Sequence, residues 1–181
     1  MRVAVIGAGG WGTALSVVAA RAGCEVRLWS RSAAVVDEVN CARVNSAYLG
    51  SHKIPESVHA TGDAGDALRG AEVVVLAAPS HATREVLERM RDAVEPGMVY
   101  VSATKGVEIE TGKRISEVVG EVLGQTAAAR FVCLSGPSFA HEVAAGQPTA
   151  VVAACADESL ARIVQSALSA QNFRVYTNPD V

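Results

Sequence analysis

Four apolar positions in a row, Val3-Ala4-Val5-Ile6, lead into a turn broken by glycines and then into the Ala/Leu/Val-rich stretch Trp11–Ala22. A short continuous apolar run suits a strand buried on both faces of a parallel sheet, and the longer stretch suits a helix packed on it. Such pairs recur along the chain. Strands are expected at Glu25–Trp29, Val58–Ala60, Val73–Ala77, Val99–Ser102, Phe131–Leu134, Thr149–Ala154 and Phe173–Tyr176. Helices are expected at Ser32–Cys41, Asp63–Leu68, His81–Ala93, Thr111–Leu123, Phe139–Ala144 and Glu158–Leu168. Ser32, Ser80 and Asp157 stand where N-caps belong, with a side-chain oxygen available to the first free N–H groups. Between Ala42 and Ser57 the period fails and Asn45, Tyr48, Gly50, His52 and Pro55 collect, which predicts a long excursion over the surface. Alternating strands and helices predict an α/β fold: a doubly wound, mostly parallel sheet with right-handed crossovers and helices on both faces. With no repeat or linker, residues 1–181 read as one domain.

Composition narrows the classes of function. At 181 residues and 50% hydrophobic, the chain has ample material for a core. A net charge of -3 without a basic run argues against a nucleic-acid partner, because backbone phosphates demand clustered Lys and Arg. Cys24, Cys41, Cys133 and Cys155 show no paired short spacing, and the carboxylates lack ligand spacing, so no metal is expected. The cysteines read as reduced thiols, which suits the cytoplasm. No apolar run approaches the roughly 20 residues of a membrane span, and the first strand begins too early for a secretory leader.

The candidate chemistry starts in the first turn. Gly7-x-Gly9-x-x-Gly12, placed between an apolar strand and a helix, is the pattern of a dinucleotide site. Gly7 serves the tight turn, Gly9 lets a phosphate approach the backbone, and Gly12 lets the helix lie close to the strand. The first helical N–H groups and the helix dipole then face the diphosphate. A site selective for NAD would end the second strand in a carboxylate for the ribose 2′-hydroxyl. Here Ser30-Arg31-Ser32 stands instead. Arg31 offers a planar fork of donors to a 2′-phosphate, with Ser30 and Ser32 beside it, so NADP(H) is favoured and NAD(H) is the alternative. A plain solvated arginine at a helix start is the competing reading of Arg31.

Three further strand ends stand where open α/β sheets place their ligands. Lys105, in Ser102-Ala103-Thr104-Lys105-Gly106, is either a solvated lysine or a donor that stabilises negative charge growing on a substrate oxygen. Ser135-Gly136-Pro137-Ser138-Phe139-Ala140 is either a sharp strand-to-helix turn or an oxyanion or hydroxyl site. Ala78-Pro79-Ser80 reads mainly as a capped helix start. His81, His141 and Glu142 lie near these edges, but nothing places an acid–base partner beside them, and they read as structural or surface residues.

Taken together and in order, Gly7-x-Gly9-x-Trp11-Gly12-Thr13-Ala14-Leu15, Pro79-Ser80, Thr104-Lys105-Gly106, Ser135-Gly136-Pro137-Ser138-Phe139-Ala140 and Phe173-Arg174-Val175-Tyr176 carry a resemblance to bacterial-type glycerol-3-phosphate dehydrogenases. The resemblance covers essentially the whole chain. It implies a Rossmann-like domain of an NAD(P)-dependent oxidoreductase that interconverts sn-glycerol 3-phosphate and dihydroxyacetone phosphate, supplying the glycerol backbone of phospholipids. Residue by residue, it implies that Gly10 and Trp11 contact the coenzyme and that Arg31 meets the adenosine ribose or its 2′-phosphate. It implies that Lys105 touches coenzyme and substrate, that Gly136 and Ser138 line the substrate site, and that Ala140 lies beside the coenzyme.

The resemblance also implies a following helical domain, expected to hold a second, proton-transferring lysine and the grip on the substrate phosphate. These residues are not in the sequence. Little turnover is therefore expected of this chain alone, and the face such a domain would cover is expected to favour homo-oligomers. Two other readings remain open: an NADP-dependent hydroxyacid or ketoacid reductase domain, and a non-catalytic nucleotide-binding module.

Overall fold

The computed structural model describes residues 1–180, and Val181 lies outside the described residues. The first half comprises β1 (Arg2–Ile6), α1 (Gly10–Arg21), β2 (Glu25–Trp29), α2 (Ala33–Ala42), α3 (Ser46–Leu49), β3 (Val58–Thr61), α4 (Ala64–Leu68), β4 (Val73–Leu76) and α5 (Ser80–Met90). There follow β5 (Val99–Ser102), α6 (Ile115–Leu123), α7 (Gln125–Ala128), β6 (Phe131–Ser135), α8 (Ala140–Ala144), β7 (Thr149–Ala154), α9 (Glu158–Leu168) and β8 (Phe173–Asn178). All eight strands form one sheet in the order β3-β2-β1-β4-β5-β6-β7-β8.

The expected α/β architecture is present. Alternate residues of each strand feed opposite layers, as the two-residue period of a strand requires. Val3 and Val5 pack with Leu15 and Val18 of α1 and with Leu160 and Val164 of α9. Ala4 and Ile6 face the other way, toward Leu68 of α4, Leu87 and Met90 of α5, and Val118 of α6. With both faces covered, the central strands β4 and β5 are buried at every position. An aliphatic side chain so buried contributes about 1.5–3 kcal/mol, and Leu15 and Leu28 are fully enclosed.

Strands β1 through β6 run parallel, and β7 pairs antiparallel to β6 before β8 runs parallel to β7. The reversal follows from the connection: α8 has five residues and packs on α1, so the chain turns back instead of crossing the sheet face.

Four local expectations are corrected. Ser32 and Asp157 do cap their helices, accepting from Val35 N and Ser159 N. Ser80 does not cap α5; Pro79 occupies the N-cap, and the hydroxyl of Thr83 donates to the Pro79 carbonyl over 3.1 Å. Helix α6 starts at Ile115 rather than Thr111, because Glu108 to Lys113 close on themselves through Glu108 N–Lys113 O and Gly112 N–Glu108 O bonds, each 2.8 Å. The helix expected to run to Ala93 ends at Met90 and tightens into a single 3-10 turn over Arg91–Ala93. The excursion from Ala42 to Ser57 is not merely superficial, since it contains α3 and buries Asn45, Leu49 and Ile54. Arg43 closes it, donating to the carbonyls of Ile54, Pro55 and Val58.

Candidate functional site

The strand order reverses direction between β1 and β4, and at that switch point the carboxyl ends of neighbouring strands leave a crevice. A cleft of about 670 Å³ lies there, walled by Gly7, Gly9, Gly10 and Trp11 on one side, Pro79, Ala82 and Val86 on another, and Ser30 and Arg31 at its far end. A second hollow of about 310 Å³ adjoins it, lined by Ala103, Thr104, Lys105, Ser138, Phe139 and Ala140. Trp11 and Ala77 belong to both. The indole N–H of Trp11 donates to the Ala103 carbonyl over 3.1 Å, which fixes the ring as the partition between them.

The glycines divide the labour by geometry. Gly7 has φ +116°, and a Cβ there would press on the Ala77–Ala78 backbone at 3.0 Å. A Cβ on Gly12 would fall 1.8 Å from the Gly7 carbonyl oxygen, so only glycine lets α1 approach β1 this closely. Gly12 thus packs the helix and does not line the cleft. A Cβ on Gly9 would meet nothing within 4 Å, and Gly9 caps α1 with no side-chain hydrogen bond. The first turn of α1 therefore offers free N–H groups to an open cradle, a good fit for a diphosphate.

Arg31 is exposed, lines the cleft, and takes part in no salt bridge among the described residues. Ser30 is buried, and its hydroxyl accepts from Ser32 N at 3.1 Å. Lys105 extends across the second hollow, its Nζ donating to the Ser138 carbonyl over 3.3 Å. Ser138 is buried and turns its hydroxyl to the Gly136 carbonyl. Gly136 itself is not on the wall; its φ is +150°, and an added Cβ would fall 2.9 Å from the Val151 backbone of β7, so it shapes the turn from behind. His81 and His141 are exposed, and the His141 ring stands 6.0 Å from that of His52.

Several wall residues carried no clear signal in the sequence. Tyr48 lines the cleft from the excursion, and a Cβ on Gly10 would touch both its carbonyl oxygen and Ala140 at 3.5 Å. Asn45, fully buried, ties that excursion to the glycine turn: its Nδ2 donates to the Ala8 carbonyl at 2.9 Å and to the Thr13 hydroxyl at 2.8 Å. An asparagine and a tyrosine in an aperiodic stretch were the available hint. Trp29, whose indole donates to the Gly62 carbonyl, forms part of the cleft's outer wall.

Beside Lys105 lies an ion cluster. Arg84 of α5 grips Glu108 with two bonds, Nε to Oε1 at 2.8 Å and Nη2 to Oε2 at 2.9 Å, and reaches Glu121 of α6 at 2.8 Å. Thr111 donates to Glu108, and Lys113 to Glu121. The Arg84 guanidinium, then the Thr111 hydroxyl, hold the Glu108 carboxyl down at about 2 from an ordinary 4.5. A carboxylate depressed in the folded state stabilises it above the unfolded pKa, and that contribution fades as pH falls. Acid unfolding followed by circular dichroism should therefore be steeper in the parent than in Glu108→Gln between pH 4.5 and about 2. Equal profiles would show that the pair contributes nothing to stability.

A mostly parallel sheet with a glycine turn and an uncapped helix at its switch point defines a dinucleotide-binding domain of the dehydrogenase kind. A family model described as NAD-dependent glycerol-3-phosphate dehydrogenase N-terminus matches residues 2–161. The chain belongs to this family. It is 48% identical over 181 residues to a glycerol-3-phosphate dehydrogenase (NAD(P)+) of Corynebacterium urealyticum, covering all of this chain and 54% of that protein. A protein of the same name from Koribacter versatilis is 49% identical, with 99% of this chain and 54% of the relative covered. A crystal structure of glycerol-3-phosphate dehydrogenase from Coxiella burnetii superposes with a TM-score of 0.90 at 38% identity, over 99% of this chain and 54% of the other. The chain thus spans about half the length of the relatives it matches. No helix among the described residues is long and apolar enough to cross a membrane.

Proposed function

We propose that this chain binds NADP(H) along the switch-point cleft and presents Lys105 to the carbonyl of dihydroxyacetone phosphate, in the interconversion of that ketone with sn-glycerol 3-phosphate. The observation that carries the reading is the pairing of the two hollows across Trp11, with Lys105 held over the second one by the Ser138 carbonyl. The coenzyme, when bound, supplies or accepts the hydride. The rest is orientation and electrostatics by residues of this chain. Backbone N–H groups at Gly9, Gly10 and Trp11 receive the diphosphate, and Arg31 with Ser30 and Ser32 receives the 2′-phosphate. Ala140 stands beside the coenzyme. Lys105 donates to the substrate oxygen as negative charge grows there, and the turn from Gly136 to Ser138 shapes the wall around it. The proton that completes the alcohol and the grip on the substrate phosphate are supplied from outside this domain, so this chain alone turns over slowly. The domain is residues 1–181, the compartment is the cytoplasm, and the product feeds phospholipid backbones. Self-association into homo-oligomers covers exposed apolar residues such as Val107, Ile109 and Phe139.

One set of measurements tests this. A charge-assisted bidentate contact contributes about 1.5–3 kcal/mol. Arg31→Ala should accordingly weaken NADPH binding by roughly 10-fold or more while changing NADH binding by less than about 2-fold, both read by calorimetry. Equal losses for the two coenzymes would remove the 2′-phosphate role. In the complete gene product, NADPH oxidation should be faster with dihydroxyacetone phosphate than with 2-ketoacids. The reverse order would overturn the substrate assignment.

A further inference from the structure

From Lys105 to Gly112 the chain inverts the usual rule of burial. Glu108 is 6% exposed, whereas Val107 and Ile109 on either side of it are 46% and 73% exposed, and the other residues of the segment lie at the surface. A surface loop ordinarily tucks its aliphatic side chains inward and leaves its acids in water. Here a carboxylate is the segment's one inward anchor, and burying it requires a partner charge. Arg84 supplies that charge in bidentate form, the strongest and most directional ion pair available, and Thr111 takes a further lone pair. The backbone bonds between Glu108, Gly112 and Lys113 close the far side of the turn. Arg84 belongs to α5, the helix that rises from Pro79 at the cleft wall, so the anchor refers the loop to the same element that borders the coenzyme cleft.

We infer that Arg84 and Glu108 are positioning residues for Lys105: their ion pair, completed by Thr111, holds the loop so that the Lys105 ammonium lies over the second hollow. The inference rests on the proposed role of Lys105, and it adds residues that touch neither coenzyme nor substrate. Glu108 lies three positions after Lys105, close enough to fix the loop's path, while the lysine itself is exposed and, among the described residues, has only the Ser138 carbonyl as a partner. Glu121 of α6 accepts from the same Arg84 Nη2 and from Lys113 at the end of the loop, and so buttresses this anchor.

The test uses the 181-residue chain. Amide hydrogen exchange of residues 105–112 is measured together with the acylation rate of Lys105 by limiting acetic anhydride, read peptide by peptide in a mass spectrometer. In Glu108→Gln the loop amides should exchange about 10-fold faster or more, and the Lys105 acylation rate should change by at least about 3-fold, while amides of α1 and β4 and the NADPH affinity stay within about 2-fold. Thr111→Val, a milder change, should move the same loop amides by about 3-fold, and it decides the question if Glu108→Gln does not fold. Glu85→Gln, which removes an exposed ion pair with Arg89 on the same helix, should leave both loop readouts unchanged. Unchanged loop exchange in Glu108→Gln, faster exchange throughout the chain, or an equal effect of Glu85→Gln would each overturn the inference. Protection of Lys105 from acylation by dihydroxyacetone phosphate, measured in the parent, tests the proposed substrate separately. Its absence would count against that substrate while the exchange data still decide how the loop is held.

Discussion

Replacing Gly12 with alanine should cost this domain both stability and coenzyme, whereas replacing Gly9 with alanine should cost it only the coenzyme. The added methyl at position 12 would sit 1.8 Å from the Gly7 carbonyl oxygen and 3.1 Å from the Ala77 side chain, so α1 must lift away from β1. Helix α1 is buried continuously from Gly12 to Ala19, and lifting it opens the core beneath Leu15 and Val18. Overpacking of a tight core costs about 1–3 kcal/mol and sometimes more, and this contact is with backbone that has no rotamer to escape into. For a domain of this size, a loss of about 3 kcal/mol corresponds to roughly 6–12 °C in Tm, which scanning fluorimetry would register. NADPH affinity should fall at least about 10-fold in parallel, because the N–H groups of the first turn move with the helix. At Gly9 the backbone is already in a conformation open to any residue, with φ −70°, and an added methyl would meet no atom of the protein within 4 Å. Gly9→Ala should hold its Tm within about 2 °C and lose NADPH binding by about 10-fold or more, since the methyl occupies the space a phosphate needs. Parallel behaviour of the two variants would contradict the division of roles between these glycines.

Replacing Lys105 with methionine should leave coenzyme binding within about 3-fold and reduce the rate of carbonyl reduction in the complete gene product by about 100- to 1,000-fold, the range found when one preorganised donor to a developing oxyanion is removed. Methionine keeps most of the length and apolar stem of lysine while deleting the ammonium, so the hollow stays filled and only the charge is lost. Stopped-flow measurement of NADPH consumption would separate the hydride step from product release. A loss confined to KM would place Lys105 in ground-state binding instead of the transition state.

The legible parts of this molecule were those whose physics is local. A strand buried on both faces has to be apolar throughout, and a turn that admits a phosphate has to be rich in glycine, so β1, its turn and α1 could be read from adjacent residues. The place of Lys105 at the sheet edge was legible for a related reason: it follows a strand end, and strand ends in parallel sheets converge on one edge. Asn45 was not, because its partners Ala8 and Thr13 are 37 and 32 residues away and nothing nearby shows that an asparagine in an aperiodic stretch will be fully enclosed. Glu108 was hidden in the same way. In sequence it is one of two acids, with Glu110, alternating with Val107 and Ile109, and the guanidinium of Arg84 that offsets the cost of its burial lies 24 residues earlier. That cluster also explains why α6 begins late: Thr111 and Lys113 are engaged with Glu108 and Glu121 and are not free to start a helix. Ser80 misled in the opposite sense, since a serine after proline resembles a cap, yet the helix already begins at that serine.

The Arg43 fork, which draws the carbonyls of Ile54, Pro55 and Val58 together, bears on how tightly a ligand can be held. An open connection of this length would have many conformations, and a ligand using its residues as a wall would have to select one and lose that entropy on binding. Joined at its base by Arg43 and fastened at Asn45 to the turn it faces, the segment carrying Tyr48 is ordered before anything arrives, so its ordering cost is met during folding and is not subtracted from the affinity.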